Sequence, residues 1–166
     1  MVKLVFWAAL FSIIAGILQS TVLSHVALYR AVPDLALGIV VYAAYVNGSM
    51  PGQLSGFFSG LLLDFLSAAP LGLNCFVRTL TGAVAGLFKG TFFLDFFLLP
   101  MALCALATFF KALVLFLLHL VFAEVPTYSL ITPLFWSELA LNTLSAPFLF
   151  ALLRRFRPLS ALKEKL

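Results

Sequence analysis

The residues that could carry chemistry in this chain are charged side chains placed inside long apolar segments. Asp64 and Arg78 lie in neighbouring segments, each seven residues from Leu71. A charge within a membrane span costs roughly 2.5–3.5 kcal/mol, so it usually pairs or lines a cavity. We therefore predict an Asp64–Arg78 ion pair, with loss of folded protein on Asp64→Ala and partial recovery when the two charges are exchanged. Lys111 and Glu138, in the two following long segments, are candidates for a second pair.

The patterns typical of enzymes are weak. An intramembrane aspartyl protease needs two facing aspartates, and Asp34 and Asp64 are conceivable partners. Asp34, however, follows Pro33 at the start of an apolar segment, where a carboxylate caps free N–H groups of a helix. The histidines form no H-E-x-x-H motif, Cys75 and Cys104 lack metal-ligand spacing, and no nucleotide-binding loop is present. We predict no enzyme activity, no catalytic residue, no metal and no cofactor.

The elements that must position these side chains are apolar segments long enough for helices. Of 166 residues, 64% are hydrophobic and 10% are charged, against about 25% charged in soluble domains. Uninterrupted apolar runs favour membrane helices over strands. The runs cover residues 4–23, 34–46, 52–66, 71–88, 92–122 and 130–153, the fifth with a kink or a re-entrant start at Pro100. We predict an all-α membrane protein, a compact bundle of about six transmembrane helices, with residues 1–157 as one domain and 158–166 as a short basic tail.

The distribution of basic residues predicts the orientation of this bundle. Six spans place both termini on one side, which then holds seven basic residues against Arg30 alone on the other. The seven are Lys3, Lys89, Arg154, Arg155, Arg157, Lys163 and Lys165. Because loops rich in Lys and Arg stay in the cytoplasm, both termini are predicted to be cytoplasmic. The basic tail would meet anionic membrane lipids, and no basic surface suited to nucleic acid lies outside it.

Glycines four residues apart indicate close packing of the third and fourth spans. They are Gly52, Gly56, Gly60, Gly82 and Gly86. The two rows mirror each other about Leu71, so an antiparallel hairpin would place Gly60 opposite Gly82 and Gly56 opposite Gly86.

Residues 30–90 contain an ordered set of short motifs. Pro33-Asp34-Leu35 opens the second span, a glycine-spaced run from Gly52 ends at Asp64, and Gly82 and Gly86 follow in the fourth span. Pro70, Leu71, Gly72 and Asn74 lie between them. In order and separation this stretch resembles the rod shape-determining protein MreD family.

The resemblance implies a non-catalytic scaffold subunit of the machinery that inserts peptidoglycan in the inner membrane of rod-shaped bacteria. Its implied partner is an MreC-like protein with one membrane span, and less directly an MreB-like filament, a SEDS-family glycosyltransferase and a penicillin-binding transpeptidase. The first span and the loops at residues 24–31 and 124–129 are the candidate contact surfaces. The family's fold is also similar to the S-components of energy-coupling-factor transporters, so a small-molecule-binding transport subunit stays open as the alternative.

Overall fold

The computed structural model describes residues 1–21, 31–67, 70–90, 97–122, 125, 128, 130–156 and 159. The described part contains six α-helices, so the predicted all-α bundle and its helix number are confirmed. They are α1 (Val2–Thr21), α2 (Leu35–Asn47), α3 (Ser49–Leu66), α4 (Leu73–Leu87), α5 (Leu98–Val121) and α6 (Pro133–Arg154). By length and hydropathy α1, α5 and α6 can each cross a membrane, whereas α2 and α4 are shorter apolar helices of 13 and 15 residues.

The start of α5 differs from the expectation for Pro100. The helix begins at Leu98, so Pro100 lies in its first turn. The first backbone N–H groups of a helix have no partner within the helix, so a proline there removes no helical hydrogen bond. The predicted kink at Pro100 is therefore wrong, and the alternative of a re-entrant segment falls on residues 91–96, outside the described residues.

The short helix α2 forms the centre of the bundle. Residues 36–44 are all buried, and α2 contacts each of the five other helices. A helix that is apolar on every side is expected to be buried on every side. At 1.5 Å per residue α2 is only about 20 Å long, less than the hydrocarbon thickness of about 30 Å. Asp34, the residue that caps its N-terminus, therefore lies inside the bundle, where its side chain is 9% exposed.

Helices α3 and α4 form an antiparallel hairpin whose backbones touch at glycines. A methyl group added to Gly56 would collide with the backbone of Arg78, and one added to Gly52 would collide with Gly82. The predicted pairings of Gly56 with Gly86 and of Gly60 with Gly82 are both wrong, because Gly86 packs on Ser49 and Gly82 packs on Gly52. Gly56 packs on Arg78, which lies eight residues before Gly86 on α4. The observed register of the two helices therefore differs from the predicted one by about two helical turns. This hairpin, α3 and α4 together, is called the glycine hairpin below.

Candidate functional site: a buried charge network

Asp34 is the centre of a network of charged side chains inside the bundle. Its Oδ1 atom accepts a hydrogen bond from the backbone N–H of Leu37 at 3.0 Å, which caps α2. The same oxygen lies 2.7 Å from Nη2 of Arg78 on α4, and Oδ2 lies 3.0 Å from Nζ of Lys111 on α5. This one carboxylate thus connects three helices, α2, α4 and α5.

Lys111 extends the network to α6. Its Nζ atom lies 2.5 Å from Oε1 of Glu138, so these two side chains meet as an ion pair. The hydroxyl of Tyr128 donates to the second carboxylate oxygen of Glu138. Burial and the neighbouring Glu138 carboxylate raise the pKa of Tyr128, which keeps its donor proton in place. We call Asp34, Arg78, Lys111 and Glu138 the charge network; it contains two carboxylates and two cations and is formally neutral.

Neutral side chains hold the network in position. Asn142, one turn beyond Glu138 on α6, accepts from the backbone N–H of Asp34 at 2.6 Å. Its amide donates to the hydroxyl of Thr108 at 2.9 Å. Thr108 lies on α5, three residues before Lys111. Three of these side chains, Asn142, Thr108 and Tyr128, were not predicted from the sequence. The signal for the first two is their spacing, since residues three or four apart share a helix face.

The position of Asp64 corrects the expected Asp64–Arg78 ion pair. Its two carboxylate oxygens accept hydrogen bonds from the backbone N–H groups of Gly72, Asn74 and Cys75, at 2.9–3.0 Å. These groups belong to the start of α4, whose first N–H groups lack partners within the helix. Asp64 is therefore saturated by the end of α4, and among the described residues Arg78 pairs with Asp34 instead.

The remaining motif residues lie at turns near these two carboxylates. The carbonyl of Pro33 accepts from the side-chain amide of Gln19 at 2.6 Å, which attaches α1 to the start of α2. The carbonyl of Pro70 accepts from the N–H of Leu73. Gly72, with φ +92°, adopts the left-handed conformation that glycine favours and precedes α4. Asn74 contributes one of the N–H groups that bind Asp64.

The geometry of the charge network suits structure better than proton transfer or metal binding. A neighbouring cavity of about 10 Å³, lined in part by Asp34, Thr108 and Asn142, has room for no more than a water molecule. Within the described ranges, His, Cys, Asp and Glu side chains form no group of three suited to a metal ion. The charges lie against one another, so the arrangement fixes helices in place.

A separate apolar groove lies on the surface between α1 and α3. It has a volume of about 530 Å³ and extends along the first half of α1, from Met1 to Ile13. Every side chain that lines it is apolar, among them Phe6, Ala9 and Phe58. Phe6 is 62% exposed, so the groove faces the surroundings of the bundle.

Comparison with known proteins gives one match. The model of the family described as rod shape-determining protein MreD matches residues 1–156, nearly the whole chain. No curated protein and no solved structure matches. The similarity to transporter S-components therefore stays a prediction.

Proposed function

This chain belongs to the MreD family of rod shape-determining proteins, and we propose that it is a membrane scaffold that binds an MreC-like single-span protein. Family membership places the chain in rod-shape determination. In more detail, we propose that the chain holds this partner in position within the peptidoglycan-synthesis machinery. Through that partner it would act on an MreB-like filament, a SEDS glycosyltransferase and a penicillin-binding transpeptidase.

The apolar groove between α1 and α3 is the observation that carries this proposal. The stretch of α1 that lines it measures about 18 Å at 1.5 Å per residue. That is long enough to seat several turns of a partner's transmembrane helix. Helices associate in lipid by close side-chain packing, so an apolar groove of this length suits a transmembrane helix.

The charge network supports a structural role for the interior. Its two carboxylates and two cations are matched through contacts of 2.5–3.0 Å. Groups already held in ion pairs are poorly placed to act as a general acid or base. We therefore propose that they hold α2, α4, α5 and α6 in a fixed arrangement, and we assign no catalytic residue or cofactor.

The proposed location is the bacterial inner membrane, with both termini in the cytoplasm. The excess of Lys and Arg near the termini supports this orientation. The groove, beside the first half of α1, would then lie in the cytoplasmic leaflet, and the charge network nearer the opposite face.

Affinity purification from native membranes in mild detergent, followed by mass spectrometry, tests this proposal. We expect an MreC-like single-span protein in amounts comparable to the tagged chain. Ala9→Trp, which fills the groove, should reduce that recovery about tenfold or more, as expected for an interface centre. Ile14→Trp is the matched control, because Ile14 is exposed on the same helix but does not line the groove.

Two results would contradict this proposal, the first for the groove and the second for the scaffold role. Equal partner recovery with Ala9→Trp and Ile14→Trp would remove the groove from the interface. Recovery of a nucleotide-hydrolysing module with a transmembrane coupler, in place of a single-span protein, would instead identify a transport subunit.

A further inference from the structure

A second cavity lies beyond the apolar groove, where α1 and α3 end and α2 and α4 begin. Its volume is about 360 Å³. Its wall combines apolar side chains, such as Ile17 and Leu66, with polar ones, such as Ser67 and Asn74. Two members of the charge network, Asp34 and Arg78, also line it. Ile17 and Leu66 are 49% and 57% exposed, so the cavity opens sideways between α1 and α3.

Arg78, which lines this cavity, has buried hydrogen-bond donors that no described residue satisfies. Its side chain is 7% exposed, and Nη2 is bound by Asp34. Nε and Nη1 are buried, and no atom of the described residues accepts from them. A buried donor without a partner is unfavourable, and more so when it is charged. Such donors beside a cavity indicate that a ligand supplies the missing acceptors.

The ligand chemistry follows from the donors and from the walls. A guanidinium group with free N–H groups binds phosphate oxygens well. Because the charge network is already neutral, attraction would come from these hydrogen bonds and not from a net charge. The cavity reaches from Asn74 to Arg78, about 6 Å along α4. It lies near the end of the bundle, which in a membrane would be where headgroups meet acyl chains. A molecule with a polar head and an apolar tail fits this wall.

We propose that this cavity binds the phosphate group of a membrane phospholipid, with Nε and Nη1 of Arg78 as its principal donors. The acyl chain would leave between Ile17 and Leu66 toward the bilayer. The bound lipid would complete the hydrogen bonding of Arg78 and fill the gap between α1 and the rest of the bundle. This binding does not depend on the proposed scaffold role, which uses the separate groove at the other end of α1.

The test is thermal unfolding of protein that has been stripped of lipid in a maltoside detergent. Dioctanoyl phosphatidylglycerol should raise the melting temperature in a saturable manner, because it binds only the folded state. Dioctanoylglycerol, which has the same chains without phosphate, should have no such effect. Inorganic phosphate is the third probe and separates a lipid from a soluble source of the same chemical group.

Three variants locate the effect. Ser67→Trp places a ring in the cavity and should weaken the lipid's affinity about tenfold or more. Phe65→Trp, at a 70% exposed position two residues away, is the control and should leave affinity unchanged. Arg78→Lys keeps a cation beside Asp34 but removes the guanidinium donors, and it provides the same test if Ser67→Trp does not fold.

The outcomes are distinct. Stabilisation by inorganic phosphate that equals the lipid's and is lost in Ser67→Trp would keep the phosphate site but overturn the lipid as its source. No stabilisation by any probe, or equal stabilisation of wild type and Ser67→Trp, would overturn the proposal. Partner recovery by Ser67→Trp should stay at the wild-type level, so failure of this inference and failure of the scaffold role can be told apart.

Discussion

The glycine hairpin and the charge network hold helices together in opposite ways. In the hairpin the partners are close in sequence, and the backbones of α3 and α4 meet directly at Gly52, Gly56 and Gly82. Its one buried carboxylate, Asp64, is satisfied by N–H groups 8–11 residues away. In the network the side chains come from distant parts of the chain, with Asp34 separated from Arg78 by 44 residues and from Lys111 by 77.

This difference predicts different sensitivities. The hairpin depends on shape, because added volume has no room between two backbones. The network depends on charge balance, because each of its members is compensated by others. A change of volume should therefore damage the hairpin, and a change of net charge should damage the network.

The largest effect is expected from unbalancing the network. Lys111→Met leaves the charge network with two carboxylates and one cation, Arg78, and Glu138→Gln leaves it with one cation in excess. Removal of one partner of a buried ion pair costs about 3–5 kcal/mol. The double variant restores neutrality through the remaining Asp34–Arg78 pair, so its cost should fall below the sum of the single costs by about 1–3 kcal/mol.

The free energy of unfolding in mixed detergent and dodecyl sulfate measures this cycle. Lys3→Met removes an exposed cation by the same substitution and should change stability by less than about 0.5 kcal/mol. Strict additivity of Lys111→Met and Glu138→Gln would show that the two side chains do not stabilise each other.

A smaller effect is expected from adding volume to the hairpin. Gly56→Ala gains up to about 1 kcal/mol of helix propensity, but the new methyl group would meet backbone atoms of Arg78 and Thr79. Backbone atoms cannot rotate away, and overpacking costs about 1–3 kcal/mol, so the melting temperature should fall. Gly16→Ala is the matched control, because its methyl group would meet Cδ2 of Leu63, the mobile end of a side chain. Equal melting temperatures of the two variants would refute the close approach of α3 and α4.

The helices and the hairpin could be predicted from the sequence because their signals are local. Apolar runs and breaks in them indicate six helices, and the glycine spacing indicates which two helices touch. The register could not be obtained this way. Symmetry about Leu71 assumes that the two helices approach the turn to the same distance. In the structure α3 ends at Leu66 and α4 starts at Leu73, so the turn is not centred on Leu71. Asp64 binds the first N–H groups of α4 and fixes this register.

The network could be predicted only in part. The lengths of the last two spans place Lys111 and Glu138 at similar depth, and the structure brings them together. The partner of Arg78 depends on where the short central helix α2 begins, since that position carries Asp34 into the bundle. Nothing local in the sequence encodes this three-dimensional position. The capping site of Asp34 was recognisable from Pro33, but its two cations were not.

The prediction that separates the two regions most directly concerns Asp64. Asp64→Ala leaves three N–H groups of α4 without acceptors, and loss of a helix cap costs about 1–2 kcal/mol. Asp64→Asn keeps one acceptor oxygen and should lose less. Exchange of charges, Asp64→Arg with Arg78→Asp, should not restore the melting temperature. An aspartate at position 78 would lie beside Asp34 and repel it. Position 78 also lies about 4.5 Å further along α4 than Cys75, whose N–H group binds Asp64. If the melting temperature of this double variant recovered toward the wild-type value, the direct Asp64–Arg78 ion pair would be supported after all. Asp64 would then belong to the charge network and not to the glycine hairpin.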